Sequence, residues 1–84
     1  MASEVTIYTT RFCPFCVRAK QLLKSKNVDF NEIPVDSDGK LRKEMMKKSG
    51  RRTVPQIWIG QRHIGGCDDL FELEHDGKLT ELLA

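Results

Sequence analysis

Val5-Thr6-Ile7-Tyr8-Thr9-Thr10-Arg11-Phe12-Cys13-Pro14-Phe15-Cys16-Val17-Arg18-Ala19-Lys20-Gln21-Leu22-Leu23 changes its period in the middle. The first five residues are all β-branched or aromatic and read as a strand. Beyond Cys13 the pattern is helical: Cys16, Ala19, Leu22 and Leu23 share one face, while Arg18, Lys20 and Lys24 turn mostly outward. Two thiols therefore stand at a strand-to-helix junction. Pro14 suits the first turn of that helix, because it lacks only an N–H that would find no partner there. This placement favours a thiol that ionises and attacks disulfides over one that only packs.

The remaining sequence extends the pattern outward from this junction. Val28 to Val35 is a second extended segment, reached through a turn around Lys26-Asn27. Strand, helix and strand in that order predict a βαβ unit with parallel strands. Asp36-Ser37-Asp38-Gly39 is turn and cap chemistry, and a second helix follows through Leu41, Met45 and Met46. Lys47 and Lys48 fall in its last turn and Gly50 is its expected stop. Ile57-Trp58-Ile59 and Arg62-His63-Ile64 flank Gly60-Gln61, a Gly-X loop that predicts an antiparallel hairpin of type II′. Gly65-Gly66 then opens a third helix with Asp68 and Asp69 in its first turn and Leu70, Phe71 and Leu73 inward. Gly77 breaks that helix, and Leu79, Leu82 and Leu83 form a last amphipathic turn.

The resulting order, β-α-β-α-β-β-α, is an α/β arrangement: a mixed four-stranded sheet flanked by helices, the thioredoxin-like pattern. Fold alone does not settle function. With 84 residues the chain is expected to form a single domain, residues 1–84. A formal charge of +2 is too small to imply nucleic-acid binding, and no apolar run approaches the ~20 residues that cross a bilayer. Met1-Ala2-Ser3-Glu4 has neither a basic nor an apolar leader region, so a cytoplasmic protein is expected. A mature chain trimmed of a targeting peptide would read the same way. The three cysteines are an odd number and argue against a framework of structural disulfides; in a reducing compartment, closely spaced thiols are catalytic or metal-binding.

At a helix N-terminus, open amides and the macrodipole favour an anion, and Cys13 is placed to be that anion. Thiols so placed can have a pKa lowered from ~8.5 to roughly 3.5–7.5, especially beside a cation, for which Arg11 is the sequence neighbour. Cys16, nearly one turn on, shares its face with Ala19 and Leu23 and is expected to be more buried and less acidic. The asymmetry makes Cys13 the attacking thiol and Cys16 the resolving one. Tetrahedral zinc needs four ligands, and one Cys pair with Cys67, His63 and His75 scattered elsewhere does not supply them, so no metal site is expected. His63 and His75 read as exposed and uninvolved, Trp58 as core, and Met45 and Met46 as helix packing. The basic run Lys47-Lys48-Ser49-Gly50-Arg51-Arg52 lacks interleaved aromatics and reads as a solvated helix end.

A second constellation lies further along. Thr53-Val54-Pro55 precedes the third strand, and a Pro there cannot donate to a ladder. In thioredoxin-like proteins such a proline is cis and lies across from the dithiol helix. Taken together, Cys13-Pro14-Phe15-Cys16, Thr53-Val54-Pro55-Gln56-Ile57 and Gly65-Gly66-Cys67-Asp68-Asp69-Leu70 make the chain resemble a dithiol glutaredoxin over nearly its whole length, most like the small bacterial type-3 members.

The resemblance implies a glutathione-dependent thiol–disulfide oxidoreductase with no permanently bound cofactor, glutathione being reductant and co-substrate. It implies that the backbone of Val54, between Thr53 and Pro55, pairs with the cysteine of glutathione. Gly66, Cys67 and Asp68 would hold its γ-glutamyl end, and Phe15 would form a hydrophobic wall. Arg11 and Arg42 would meet its glycine carboxylate, with Arg51 and Arg52 as nearby candidates. For Cys67 the backbone matters more than the thiol. Two departures stand out: Phe15 replaces the commoner tyrosine, and Thr10 occupies a position that often carries a lysine near the attacking sulfur. Expected partners are disulfide-bonded or glutathionylated proteins, ribonucleotide reductase among them for some relatives; neither nucleic acid nor membrane is expected, and the chain is read as a monomer. The alternative is a carrier of a [2Fe–2S] cluster held between two subunits and two glutathiones, although members that do this usually have glycine or serine at the position of Pro14. A thioredoxin reduced by a flavoprotein is disfavoured by the Gly65-Gly66-Cys67-Asp68 segment.

Overall fold

The computed structural model describes residues 4–83; Met1–Ser3, part of the stretch read for a leader, lie outside the described residues. The elements run β1 (Val5–Thr9), α1 (Pro14–Ser25), β2 (Asn31–Pro34), α2 (Gly39–Ser49), β3 (Gln56–Ile59), β4 (Arg62–Gly65), α3 (Cys67–His75) and α4 (Leu79–Leu83). They form one sheet in the order β2-β1-β3-β4, with β1 and β2 parallel and the other pairs antiparallel. This is the mixed, thioredoxin-like arrangement expected from the sequence.

Alternation along the strands divides the core into two layers. Val5 and Ile7 of β1 and Ile57 and Ile59 of β3 face one side, where Ala19 and Leu23 of α1, Leu70 of α3, and Leu79 and Leu83 of α4 close over them. Tyr8 faces the other side with Val35 and Met45, and Ile33, Leu41, Val54 and Trp58 pack against them. Thus α1, α3 and α4 share one face of the sheet and α2 covers the other. Both inner layers are apolar, so each strand needs its residues in register; a one-residue slip would exchange the faces.

Helix ends follow their capping residues. Asp38 caps α2 by accepting from the N–H groups of Lys40 and Leu41, at 2.9 and 3.3 Å, and Gly50 ends it in the left-handed region. The Gly60-Gln61 loop has the positive φ of 61° at its first residue that a type II′ hairpin requires. Three sequence expectations need correction. The second strand begins at Asn31 rather than Val28, because the Val28 N–H donates to the carbonyl of Leu23 and completes the end of α1. Met46 is exposed, on the outer side of α2. Trp58 is half-buried at the end of the α2-side layer, set edge-on to Tyr8 and against His63, with ring centroids 5.3 and 4.7 Å away.

Candidate active site

Cys13 is the N-cap of α1. Its backbone is extended, its carbonyl accepts the Val17 N–H, and its Sγ accepts the Cys16 N–H at 3.0 Å. The sulfur thus occupies the place of the side-chain oxygen in an ordinary cap and sits on the positive end of the helix. Cys13 and Cys16 are joined as a disulfide with their Cα atoms 5.1 Å apart. Exposure separates the two: Cys13 retains 8% of its surface and Cys16 1%. A substrate disulfide reaches Cys13 first, and Cys16 lies behind it. This is the asymmetry read from the helical spacing.

Pro55 faces this cap. The Val54–Pro55 peptide is cis, and the Val54 carbonyl oxygen lies 3.8 Å from Cys13 Sγ. From here a groove of about 200 Å³ opens. Phe15 forms one wall, Thr53, Val54 and Pro55 another, and Gly66, Cys67 and Asp68 a third. Seven positions named from the sequence therefore converge beside the reactive sulfur, from three separate segments of chain. Phe15 is about half exposed, so its ring serves as a lip of the groove rather than as core. A larger cavity, about 620 Å³, lies beside Val28, Phe30 and Leu83 and shares no lining residue with this groove. Size does not select the site; the dithiol does.

The N-terminus of α3 supplies the groove's electrostatics. Asp69 accepts the Gly66 N–H at 2.9 Å and the Arg51 guanidinium at 3.0 Å. The Gly66 hydrogen bond holds the Asp69 carboxyl below its ordinary pKa, against the effect of burial, and Arg51 adds to the lowering. Amides in the first turn of a helix have no intrahelical carbonyl, so those of Cys67 and Asp68 suit a carboxylate, while the Asp68 side chain suits an ammonium group. Burial raises the Cys67 thiol, and the Asp68 charge raises it further, against an opposing effect of Arg18. Cys67 is accordingly a buried, protonated thiol.

Two positions named from the sequence fall elsewhere. Arg11 is exposed, its N–H donates to the Asp36 carboxylate at 3.1 Å, and it lines a separate cleft with Thr10, Glu32 and Asp36. Arg42 does not line the groove; its Nη2 donates to the Arg52 carbonyl at 3.1 Å. The cation on the groove is Arg51. Arg51 was one of the nearby candidates named from the sequence; Asp69 was missed as a site residue, though Gly66-x-x-Asp69 has capping-box spacing, which tells that Asp69 turns back toward Gly66. Phe12 was also missed: it is 91% exposed beside Cys13, on a turn where no periodicity assigns a face. His63, read as exposed, is half-buried, bonded through Nε2 to Gln56 Oε1 at 2.8 Å, and burial lowers its pKa.

A dithiol that caps a helix opposite a cis-proline, on a sheet of this order, defines a thiol–disulfide oxidoreductase of the thioredoxin-like fold. The family model described as glutaredoxin matches residues 5–64. A glutaredoxin of Pseudomonas aeruginosa is 60% identical over 80 residues, covering 95% of each chain. Glutaredoxin 3 of Escherichia coli K12 is 56% identical over 81 residues, 96% of this chain and 98% of its own. Among solved structures, that of the buckwheat glutaredoxin–glutathione complex superposes with a TM-score of 0.89 at 34% identity, covering 96% of this chain and 76% of the other. The chain belongs to the glutaredoxin family.

Proposed function

We propose that the protein reduces protein disulfides and protein–glutathione mixed disulfides in the cytoplasm, with glutathione as reductant and no resident cofactor. The observation that carries this reading is the groove beside Cys13. Its walls offer a backbone segment at Thr53-Val54, first-turn amides and a carboxylate at Cys67 and Asp68, and the Arg51 cation. That set matches a peptide with an ammonium group and two carboxylates. An extended peptide would pair with the Val54 backbone as a strand adds to an edge. Its cysteine would then lie next to the Cys13 sulfur.

The reaction runs in balanced exchanges. The Cys13 thiolate attacks the glutathione-side sulfur of a mixed disulfide; the protein thiolate leaves and takes up a proton, and Cys13 is joined to glutathione. A second glutathione thiolate attacks the glutathione sulfur of that bond, giving glutathione disulfide and the Cys13 thiolate. Alternatively the Cys16 thiolate attacks Cys13 Sγ and expels glutathione, leaving the Cys13–Cys16 disulfide, which two glutathiones reduce. With a protein disulfide, Cys13 attacks one sulfur and Cys16 resolves the resulting bond. The Cys16 N–H at 3.0 Å stabilises Cys13 as the anion in either route.

The test is glutathione-coupled reduction of a glutathionylated peptide by the wild type, Cys13→Ser and Cys16→Ser. Turnover should fall to background in Cys13→Ser and persist in Cys16→Ser, whereas reduction of an intramolecular protein disulfide should need both thiols. Equal loss in both variants on the glutathionylated peptide would contradict these roles.

A further inference from the structure

Gln56 is one of two polar residues, with Thr9, that are buried among the described residues. It pairs with Tyr8 across β1 and β3, so its side chain enters the layer beneath α2, near the apolar cluster of Tyr8, Val35 and Met45. A leucine would fill that space without an amide to desolvate. The amide is nevertheless fully engaged. Its nitrogen donates to the Thr53 carbonyl at 3.0 Å and to Thr53 Oγ1 at 3.3 Å, and its oxygen accepts from His63 Nε2 at 2.8 Å. With the amide nitrogen facing Thr53, the oxygen faces His63 and can only accept, which places the imidazole proton on Nε2. His63 is in turn set against Trp58, its register partner on β3. A polar chain thus runs from β4, through the layer beneath α2, to the residue preceding Val54.

We propose that Gln56 and His63 are positioning residues that fix the Thr53-Val54 wall of the groove from behind, and so set affinity for the glutathione moiety rather than the chemistry at Cys13. The proposal rests on the groove being the glutathione site. Neither side chain lines the groove, so each acts only through Thr53. Thr53 itself is exposed, and on its inner side these two bonds tie it to the sheet. Without them the Thr53-Val54 backbone would sample positions that do not match an added strand. A bound peptide would then have to order it, and this cost appears in binding.

The test compares one peptide carrying its cysteine either as a glutathione disulfide or as a disulfide to free cysteine, which lacks the γ-glutamyl and glycyl ends. The wild type should show a lower KM for the glutathionylated form. In Gln56→Leu that KM should rise about 5–10-fold, the equivalent of a hydrogen bond or two, with kcat within about twofold and the KM for the cysteinylated form unmoved. His63→Phe, which keeps a ring against Trp58 but has no donor, should give the same pattern. His63→Gln, which restores a donor, should recover most of the loss. The double variant Gln56→Leu/His63→Phe should be no worse than Gln56→Leu, because the two act as one chain. Thermal melts of each variant separate these effects from loss of fold, and His63→Phe carries the test alone should Gln56→Leu melt early. An unchanged KM in Gln56→Leu and His63→Phe, or an equal loss on both peptides, overturns the proposal. A wild type that does not prefer the glutathionylated peptide overturns instead the glutathione reading, and this proposal with it.

Discussion

Thr10 and Arg11 bear on what can stabilise a Cys13 thiolate. Arg11 turns to the cleft that holds Glu32 and Asp36, and Thr10 lines the same cleft, so the helix N-terminus and the Cys16 N–H carry the stabilisation. A lysine at position 10, three residues before Cys13, adds a cation long enough to choose between the sulfur and the Glu32 and Asp36 carboxylates of that cleft. We expect Cys16→Ser/Thr10→Lys to show a lower Cys13 pKa than Cys16→Ser, because a nearby cation favours the thiolate. The pH dependence of alkylation by iodoacetamide measures it; equal values would mean that Thr10 costs the thiolate nothing. Cys67 gives the opposite expectation. Its thiol is raised by burial, so the Cys13→Ser/Cys16→Ser variant should alkylate far more slowly at pH 7 than Cys16→Ser does. Rapid labelling of that variant would show that Cys67 is an open third thiol. The positions of the two thiols were legible in the sequence because helical spacing alone separates an N-cap position from an inward one. The surroundings of His63, on edge strand β4, and Trp58, on its neighbour β3, were not: whether a half-exposed side chain finds a partner depends on cross-strand register, which alternation does not reveal.

At the level of the element, the ends were harder to read than the existence. Lys24, Asn27, Leu23 and Val28 close α1 in a Schellman motif: the Asn27 N–H donates to Lys24 O at 3.0 Å, the Val28 N–H to Leu23 O at 3.3 Å, and Asn27 has φ 58°. The β-branched Val28 looks like strand in composition, but its N–H is already committed to the helix. At the other side of the site, α3 begins on Gly66 and is held by Asp69. Asp69 has a lowered pKa in the folded protein, so it contributes stability above its unfolded value near 3.8, and that contribution is lost as pH falls through the lower folded value. Its side chain is 40% exposed, so the magnitude is discounted for screening. Asp69→Asn should lose about 0.5–1 kcal/mol at pH 7, as a weakened cap does, and should show less loss of stability than wild type between pH 5 and 3. Urea unfolding across that range checks it, and parallel pH curves would refute it. Gly65 is tied to the same cap. It has φ 117°, and a Cβ there would stand 2.7 Å from Asp69 Cγ. Gly65→Ala should therefore destabilise by about 2 kcal/mol or more, combining backbone strain with displacement of Asp69. A smaller loss would mean that Asp69 moves aside freely.

Across the whole molecule, charge is unevenly spread among the helices. Lys40, Arg42, Lys43, Lys47, Lys48, Arg51 and Arg52 supply seven of the 14 basic residues, against Glu44 as the only acid in that stretch. Asp68, Asp69, Glu72 and Glu74 lie in α3, which carries no Lys or Arg. Because α2 packs alone on its face while acidic α3 shares the other with Arg18, Lys20 and Lys24 of α1, the net charge of +2 conceals one strongly basic face and one of mixed charge. The sequence shows the run of cations, but only the topology shows that no second helix shares that face among the described residues. Lys48 pairs with Glu44 at 3.0 Å, while Lys40, Lys43 and Lys47 are exposed and fall within about 60° of arc on the helix, at 100° per residue. This stripe leads by way of Gly50 and Arg51 to the groove wall. Such a field raises the encounter rate of an acidic client and lowers that of a basic one, and does so less as salt rises. Lys40→Glu/Lys43→Glu/Lys47→Glu should reduce kcat/KM for an acidic glutathionylated peptide about tenfold at low ionic strength, leave a small uncharged disulfide unaffected, and converge with wild type near 0.5 M salt. These substitutions touch neither thiol nor any groove residue, so a loss on the uncharged substrate would point to a folding defect. An acidic-to-basic peptide preference that survives the reversal at every salt concentration would show that the charge division has no part in client choice.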